Sequence, residues 1–266
     1  MQWWGDFEFE SGEQRRWQIG PLNLWISRVD NEWRVVNSWS GDPLDPALVI
    51  AEPFAEDEEP APSLERRRYL FAEEGRLRIL PRVADRPMVT RPEMPVILPA
   101  GQRATLYLAT PLWVELSLLS ASGAALVFAE IPTWKASSTW YGENTLEGNL
   151  YYATRTRARL SLPETPGPGP RVITCMQVAN DHGEPLRIER IALPLPQMSV
   201  FRDENSALWT EAATVDYEPT GNSPVQLQQK PQQALGATTL VSGSREDKSS
   251  NIIVRALSAA LRGLMP

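Results

Sequence analysis

Twenty-four prolines spread through 266 residues leave few stretches in which a long helix could run. Proline lacks a backbone N–H and clashes with the carbonyl one turn back, so it breaks helices. In sheets it is confined to edges, first positions and bulges. Between the prolines, apolar and polar residues alternate with the period of two that a half-buried strand requires. Leu22 to Val29 is the clearest run, with Leu22, Leu24 and Ile26 on one face. Asp30-Asn31 is a tight-turn dipeptide, and Glu32 to Trp39 reads as the returning strand of a hairpin. Arg16-Trp17-Gln18-Ile19 feeds this hairpin through the turn Gly20-Pro21.

Further alternating runs cover Arg68 to Phe71, Leu77 to Leu80, Thr105 to Thr110, Leu112 to Leu118, Ala124 to Ile131 and Leu150 to Leu162. Arg171 to Ala179 and Leu186 to Leu193 are expected to pair across Asn180-Asp181-His182-Gly183. Regular short strands with turn residues between them predict an all-β chain of one or two antiparallel β-sandwich or jelly-roll-like units. The acidic, proline-rich stretch 52–64 reads as a solvated loop. A second proline cluster (Pro81, Pro87, Pro92, Pro95, Pro99) suggests a boundary, giving a tryptophan-rich unit at 1–85 and a larger one at 86–248.

The last stretch, 249–266, breaks the pattern. Ser249 or Ser250 can cap a short helix that Gly263 would end, and Ile253, Leu257, Leu261 and Leu264 fall on one of its faces. So short a helix is marginal alone in water and needs a surface to cover it: its own sheet, a partner protein or a membrane interface.

Several chemistries are disfavoured outright. The formal net charge is −7, whereas a nucleic-acid binder needs a basic face, and Arg66-Arg67-Arg68 and Arg155, Arg157 and Arg159 read as strand faces. One cysteine, Cys175, rules out an intrachain disulfide and a Cys-rich metal site; it reads as a small core residue. His182 is the single histidine, so multi-histidine metal sites are excluded. Phosphate-cradling and dinucleotide-binding glycine motifs are absent, so neither a cofactor nor a metal is expected. With no signal-peptide pattern at the N-terminus, and no apolar run near the roughly 20 residues of a membrane helix, a cytoplasmic protein without a membrane span is expected.

Three features invite a function. Ile131 to Gly148 carries Trp134, Trp140 and Tyr141 among Ser137, Thr139, Glu143 and Glu147. Lying between two strand patterns, it reads either as a binding loop for a polar ligand or partner, or as a crossover whose aromatics plug a sandwich end. Glu143 and Glu147 could serve as the carboxylate pair of a glycosidase, but any two nearby glutamates among 33 acidic residues carry little specificity, and no catalytic residue is assigned. Six of the ten tryptophans fall within the first 39 residues and suit either a β core or an interface. The terminal face of Ile253, Leu257, Leu261 and Leu264 is the third, as a partner-docking helix.

The chain resembles an uncharacterised archaeal and bacterial family, domain of unknown function 432. The resemblance rests on Trp3-Trp4-Gly5, on Trp17-Gln18-Ile19-Gly20-Pro21-Leu22-Asn23-Leu24-Trp25-Ile26 and on Glu32-Trp33-Arg34. Pro111-Leu112-Trp113-Val114, Ser138-Thr139-Trp140-Tyr141-Gly142 and the run from Leu186 to Pro194 are also similar, so it covers Trp3 to Trp209. The family has no established activity, so the resemblance transfers no catalytic residue. Its members often neighbour genes for small mechanosensitive channels, which implies a membrane channel as partner. The residues and the resemblance together favour a non-enzymatic module that binds a protein or a small polar ligand, against a carbohydrate-active hydrolase.

Overall fold

Alternating side chains and tight turns produce strands through most of the described residues. The computed structural model describes residues 2–53, 60, 61, 63–72, 74–142, 148–162, 169–217, 225–231, 236 and 239–247. The chain opens with β1 (Gly5–Phe7), β2 (Gln14–Ile19), β3 (Leu22–Val29), β4 (Glu32–Trp39) and β5 (Leu48–Pro53). Then come β6 (Arg66–Leu70), β7 (Gly75–Arg82), β8 (Met88–Pro92), β9 (Val96–Leu98) and β10 (Gln102–Pro111). The middle holds β11 (Trp113–Ser120), β12 (Ala125–Pro132), β13 (Ser137–Gly142), β14 (Gly148–Thr156) and β15 (Arg171–Asn180). Shorter strands follow: β16 (Leu186–Ile188), β17 (Ile191–Leu193), β18 (Val200–Arg202) and β19 (Leu208–Trp209). Last are β20 (Glu211–Asp216), β21 (Val225–Pro231) and β22 (Thr239–Ser242). The fold is all-β, as the alternation predicts. The helix expected to present Ile253, Leu257, Leu261 and Leu264 lies outside the described residues.

Two compact units share the chain. The first comprises Met1–Arg82, Leu112–Lys135 and Pro168–Pro170. It holds a four-stranded sheet, β1-β7-β11-β12, and a five-stranded sheet, β5-β2-β3-β4-β6. The predicted hairpin is present: Val29 pairs with Glu32 across Asp30-Asn31, and Asp30 takes the left-handed φ of 51° that such a turn needs. Trp17, Ile19, Leu22, Leu24, Ile26 and Val35 are fully buried. Aromatic contacts link the two sheets, Phe7 of β1 meeting Trp17 of β2 at 5.4 Å and Tyr69 of β6 meeting Phe128 of β12 at 4.8 Å. Trp3 Nε1 donates to the Gly169 carbonyl (3.2 Å) and Trp39 Nε1 to the Pro132 carbonyl (2.8 Å), so both indoles are anchored by a hydrogen bond. Of the six N-terminal tryptophans, Trp3, Trp4, Trp17 and Trp33 are core, whereas Trp25 and Trp39 are half-buried.

The outer face of the five-stranded sheet holds an ion-pair triplet with a titration signature. Arg34 and Arg68 stand opposite each other on β4 and β6. Glu32 accepts from Arg34 Nε at 2.6 Å and from Arg68 Nε at 2.7 Å. Hydrogen bonds from Arg68, then from Arg34, favour the carboxylate and hold its pKa at about 2 against the ordinary 4.5. A carboxyl depressed in the folded state contributes stability above its unfolded pKa and loses it as pH falls through the folded value. The window for this group is therefore about pH 4.5 down to 2. Carboxyl-carbon NMR should find Glu32 still ionised at pH 3; titration near 4.5 would show that the triplet does not persist in solution.

The second unit comprises Val83–Pro111, Ala136–Gly167 and Arg171–Pro266. Its largest sheet runs β21-β20-β15-β19-β18-β22, with β10 also paired to β15. A four-stranded sheet, β13-β14-β8-β17, and the pair β16-β9 complete it. Not every pairing is antiparallel: β14 with β8, and β15 with β19 and with β20, run parallel. The expected pairing of Arg171–Ala179 with Leu186–Leu193 does not occur. β15 instead pairs with β10 along ten residues, Gln102 to Pro111, while β16 joins β9 and β17 joins β8. A ten-residue antiparallel ladder satisfies far more backbone groups than two three-residue strands could, so the distant partner prevails over the near one. The run from Leu150 to Leu162 is also shorter than its pattern suggested. β14 stops at Thr156, Ala158 adopts a φ of 43°, and Arg159 forms an isolated bridge with Tyr107.

Candidate functional site

The aromatic segment after Pro132 is a strand where a loop was expected. Ser137 to Gly142 forms β13, antiparallel to β14, with Trp140 opposite Leu150. Hydroxylic, β-branched and aromatic residues favour a pleated surface even when the segment reads as polar. Among the described residues β13 ends its sheet, so one side of its backbone faces away from the ladder. Trp140 is 49% exposed and Leu150 48% exposed, which makes this cross-strand pair an apolar surface at the sheet edge. The indole lies directly on the backbone of Gly148, where a Cβ would stand 2.6 Å from its Nε1. Gly148 thus leaves room for the ring to lie flat beside Leu150.

The other predicted site residues separate. Ser137, Thr139 and Tyr141 alternate with Trp140 onto the opposite face of β13. Ser137 is exposed, with its Oγ donating to the Ala153 carbonyl at 3.4 Å, and Thr139 is half-buried. Tyr141 is buried, its ring centroid 5.3 Å from that of Tyr151. Trp134 is half-buried and belongs to the first unit, so the segment's aromatics do not share one element. Glu143 and Glu147 lie outside the described residues.

A cleft that the sequence did not disclose opens at one end of the first unit, with a volume of about 950 Å³. Its wall includes Glu8, Glu13, Arg15, Arg28, Glu74 and Ser120. Arg15 and Arg28 continue the inward alternation of β2 and β3 beyond Trp17 and Ile26, which is the signal that could have revealed it. Arg15 donates to Glu13 Oε1 and to the Glu8 carbonyl, both at 2.6 Å, and its guanidinium lies 4.5 Å from the centre of the Phe9 ring. Arg28 donates to the carbonyls of Phe9 and Asp30, both at 2.8 Å, and stands 3.7 Å from Glu74. Both guanidinium groups are thus held by backbone carbonyls and by nearby carboxylates at the mouth of the cleft.

His182 lies in its turn with its ring edge-on to Tyr217 at 5.6 Å, and Cys175 is buried on β15. Among the described residues, no group of three or more His, Cys, Asp or Glu is placed to hold a metal ion. Among them, too, no helix is long and apolar enough to cross a membrane.

No curated protein and no solved structure matches the chain. One family model does match, over residues 3–260, nearly the whole length and well past the Trp209 limit drawn from the sequence. The chain therefore belongs to the family described as protein of unknown function (DUF432).

Proposed function

We propose that the chain is a non-enzymatic protein-interaction module whose contact is the free edge of β13, centred on Trp140. The observation that carries this reading is the pairing of Trp140 with Leu150, each about half exposed, on a strand that ends its sheet. An exposed strand edge can accept an extended segment of another protein through backbone hydrogen bonds, and an adjoining aromatic supplies the anchor that dominates such interfaces. The implied partner is a membrane channel, with the chain on the cytoplasmic side; that part of the reading rests on the family resemblance alone. A second reading, a small polar ligand in the Arg15–Arg28 cleft, is favoured by its volume of about 950 Å³ and its polar wall.

The test captures partners of the full chain from soluble and detergent-extracted membrane fractions of native cells, alongside the double variant Trp140→Ser/Leu150→Ser. A partner retained by the full chain should fall at least tenfold with the variant, the loss expected when an interface anchor worth about 2 kcal/mol is removed. Both side chains are half exposed, so the far-UV circular dichroism should not change. Equal recovery with both proteins would remove β13 as the contact and turn attention to the cleft.

A further inference from the structure

The β13-β14-β8-β17 sheet sets arginines side by side. Parallel pairing places Arg91 of β8 next to Arg155 of β14. The two arginines thus stand side by side on neighbouring strands, at the usual spacing of about 4.8 Å. Arg157, two residues beyond Arg155, adds a third beside the same carboxylate. Among the described residues one carboxylate pairs with this group: Glu93 stands 3.8 Å from Arg155 Nη2 and 4.0 Å from Arg157 Nε. The side chains of Arg155 and Arg157 are 68% and 56% exposed, and Arg91 is exposed too. Like charges in direct cross-strand register repel, so the row is poised to accept an anion.

Exposed apolar side chains follow both strands in the chain. Met94, two residues after β8, is 79% exposed, and Leu160, four residues after β14, is 66% exposed. We propose that this face binds a bilayer surface rich in anionic phosphate headgroups, with the arginines holding phosphates while Met94 and Leu160 enter the interfacial layer. The guanidinium fork matches a phosphate's oxygens, and protruding apolar side chains beside a basic face suit a lipid interface. A nucleic acid fits less well. It would leave Met94 and Leu160 in water. An anionic surface acts on charges within a Debye length, about 8 Å, so the local excess of arginine outweighs the net charge of −7. These residues are separate from Trp140 and Leu150, so the inference stands or falls independently of the β13 contact.

The test is cosedimentation of the full chain with vesicles of pure phosphatidylcholine and with vesicles containing one third phosphatidylglycerol. Binding should appear with the anionic vesicles alone and weaken with added salt. Arg91→Gln/Arg155→Gln should lower the partition coefficient at least tenfold, and Met94→Ser/Leu160→Ser should lower it on the same vesicles. All four positions are exposed, and removing two arginines relieves repulsion, so circular dichroism should show both variants folded. Equal sedimentation with the two vesicle types, or with neither, would overturn the proposal. So would an oligothymidylate or hexaglutamate probe that binds more tightly than the anionic vesicles and loses binding in the arginine variant.

Discussion

Replacing Trp17 with alanine should destabilise the first unit by about 3–5 kcal/mol, the range for deleting a large aromatic from a packed core. The side chain is fully buried on β2. Phe7 meets its ring edge-on at 5.4 Å, Phe9 lies stacked at 6.3 Å, and Phe9 in turn touches Trp33 at 5.1 Å. Each such aromatic contact adds about 0.5–1.5 kcal/mol beyond simple burial. Alanine would therefore remove the centre of an aromatic chain and leave a cavity that strands on both sides cannot close. Domains of this kind hold about 5–15 kcal/mol in total, so the loss should appear as a large fall in the urea midpoint followed by far-UV circular dichroism. Trp17→Phe should cost much less: a six-membered aromatic ring stays, and the indole Nε1 it gives up has no hydrogen-bond partner among the described residues. Trp25→Ala, at a half-buried position on the outer face, is the control and should move the midpoint far less. If Trp17→Ala and Trp25→Ala shifted it equally, the aromatic core described here would be wrong.

What the sequence disclosed was local. The β3–β4 hairpin was legible because its information lies within two strands and one turn, the dipeptide Asp30-Asn31 fixing the register Val29 opposite Glu32. β13 was hidden by its polar composition, since hydroxyls and glutamates near Trp140 resemble a loop until β14 offers it a ladder. The partner of β15 was misread for the opposite reason. Leu186–Leu193 is close in sequence and apolar, but β10, more than sixty residues upstream, offers the longer register. The candidate sites divide along the same line. Trp140 could be named from the sequence, whereas Leu150 could not, because its exposure beside Trp140 depends on the pairing. Arg91 and Arg155 become neighbours only through a parallel pairing across a long connection, which no periodicity within either strand records. Residues that one element holds are readable from spacing; residues that two distant elements bring together are not.

Gly20→Val should be nearly as damaging as the loss of Trp17, by the opposite route of adding atoms. Gly20 and Pro21 join β2 to β3 with Ile19 opposite Leu22, and Gly20 holds a φ of 58°. A residue with a Cβ in that left-handed region carries a penalty of about 1–2 kcal/mol, and branching at Cβ adds to it. Space is short as well: a Cβ at Gly20 would stand 2.8 Å from the Asp45 carbonyl oxygen and 2.8 Å from Pro170 Cγ. The Gly20 N–H donates to the Ala47 carbonyl at 2.7 Å, so moving the turn away from Asp45 would break a backbone hydrogen bond that closes it. Overpacking of this kind adds about 1–3 kcal/mol, for a total of about 2–5 kcal/mol. Gly12→Val separates the two contributions. Gly12 also has a positive φ, 89°, but a Cβ there meets nothing within 4 Å, so its valine variant should suffer from the backbone conformation alone. Urea midpoints of the two variants should therefore differ, with Gly20→Val the lower. Equal midpoints would mean that the contacts with Asp45 and Pro170 yield freely, and that the turn is constrained by its backbone conformation and not by its packing.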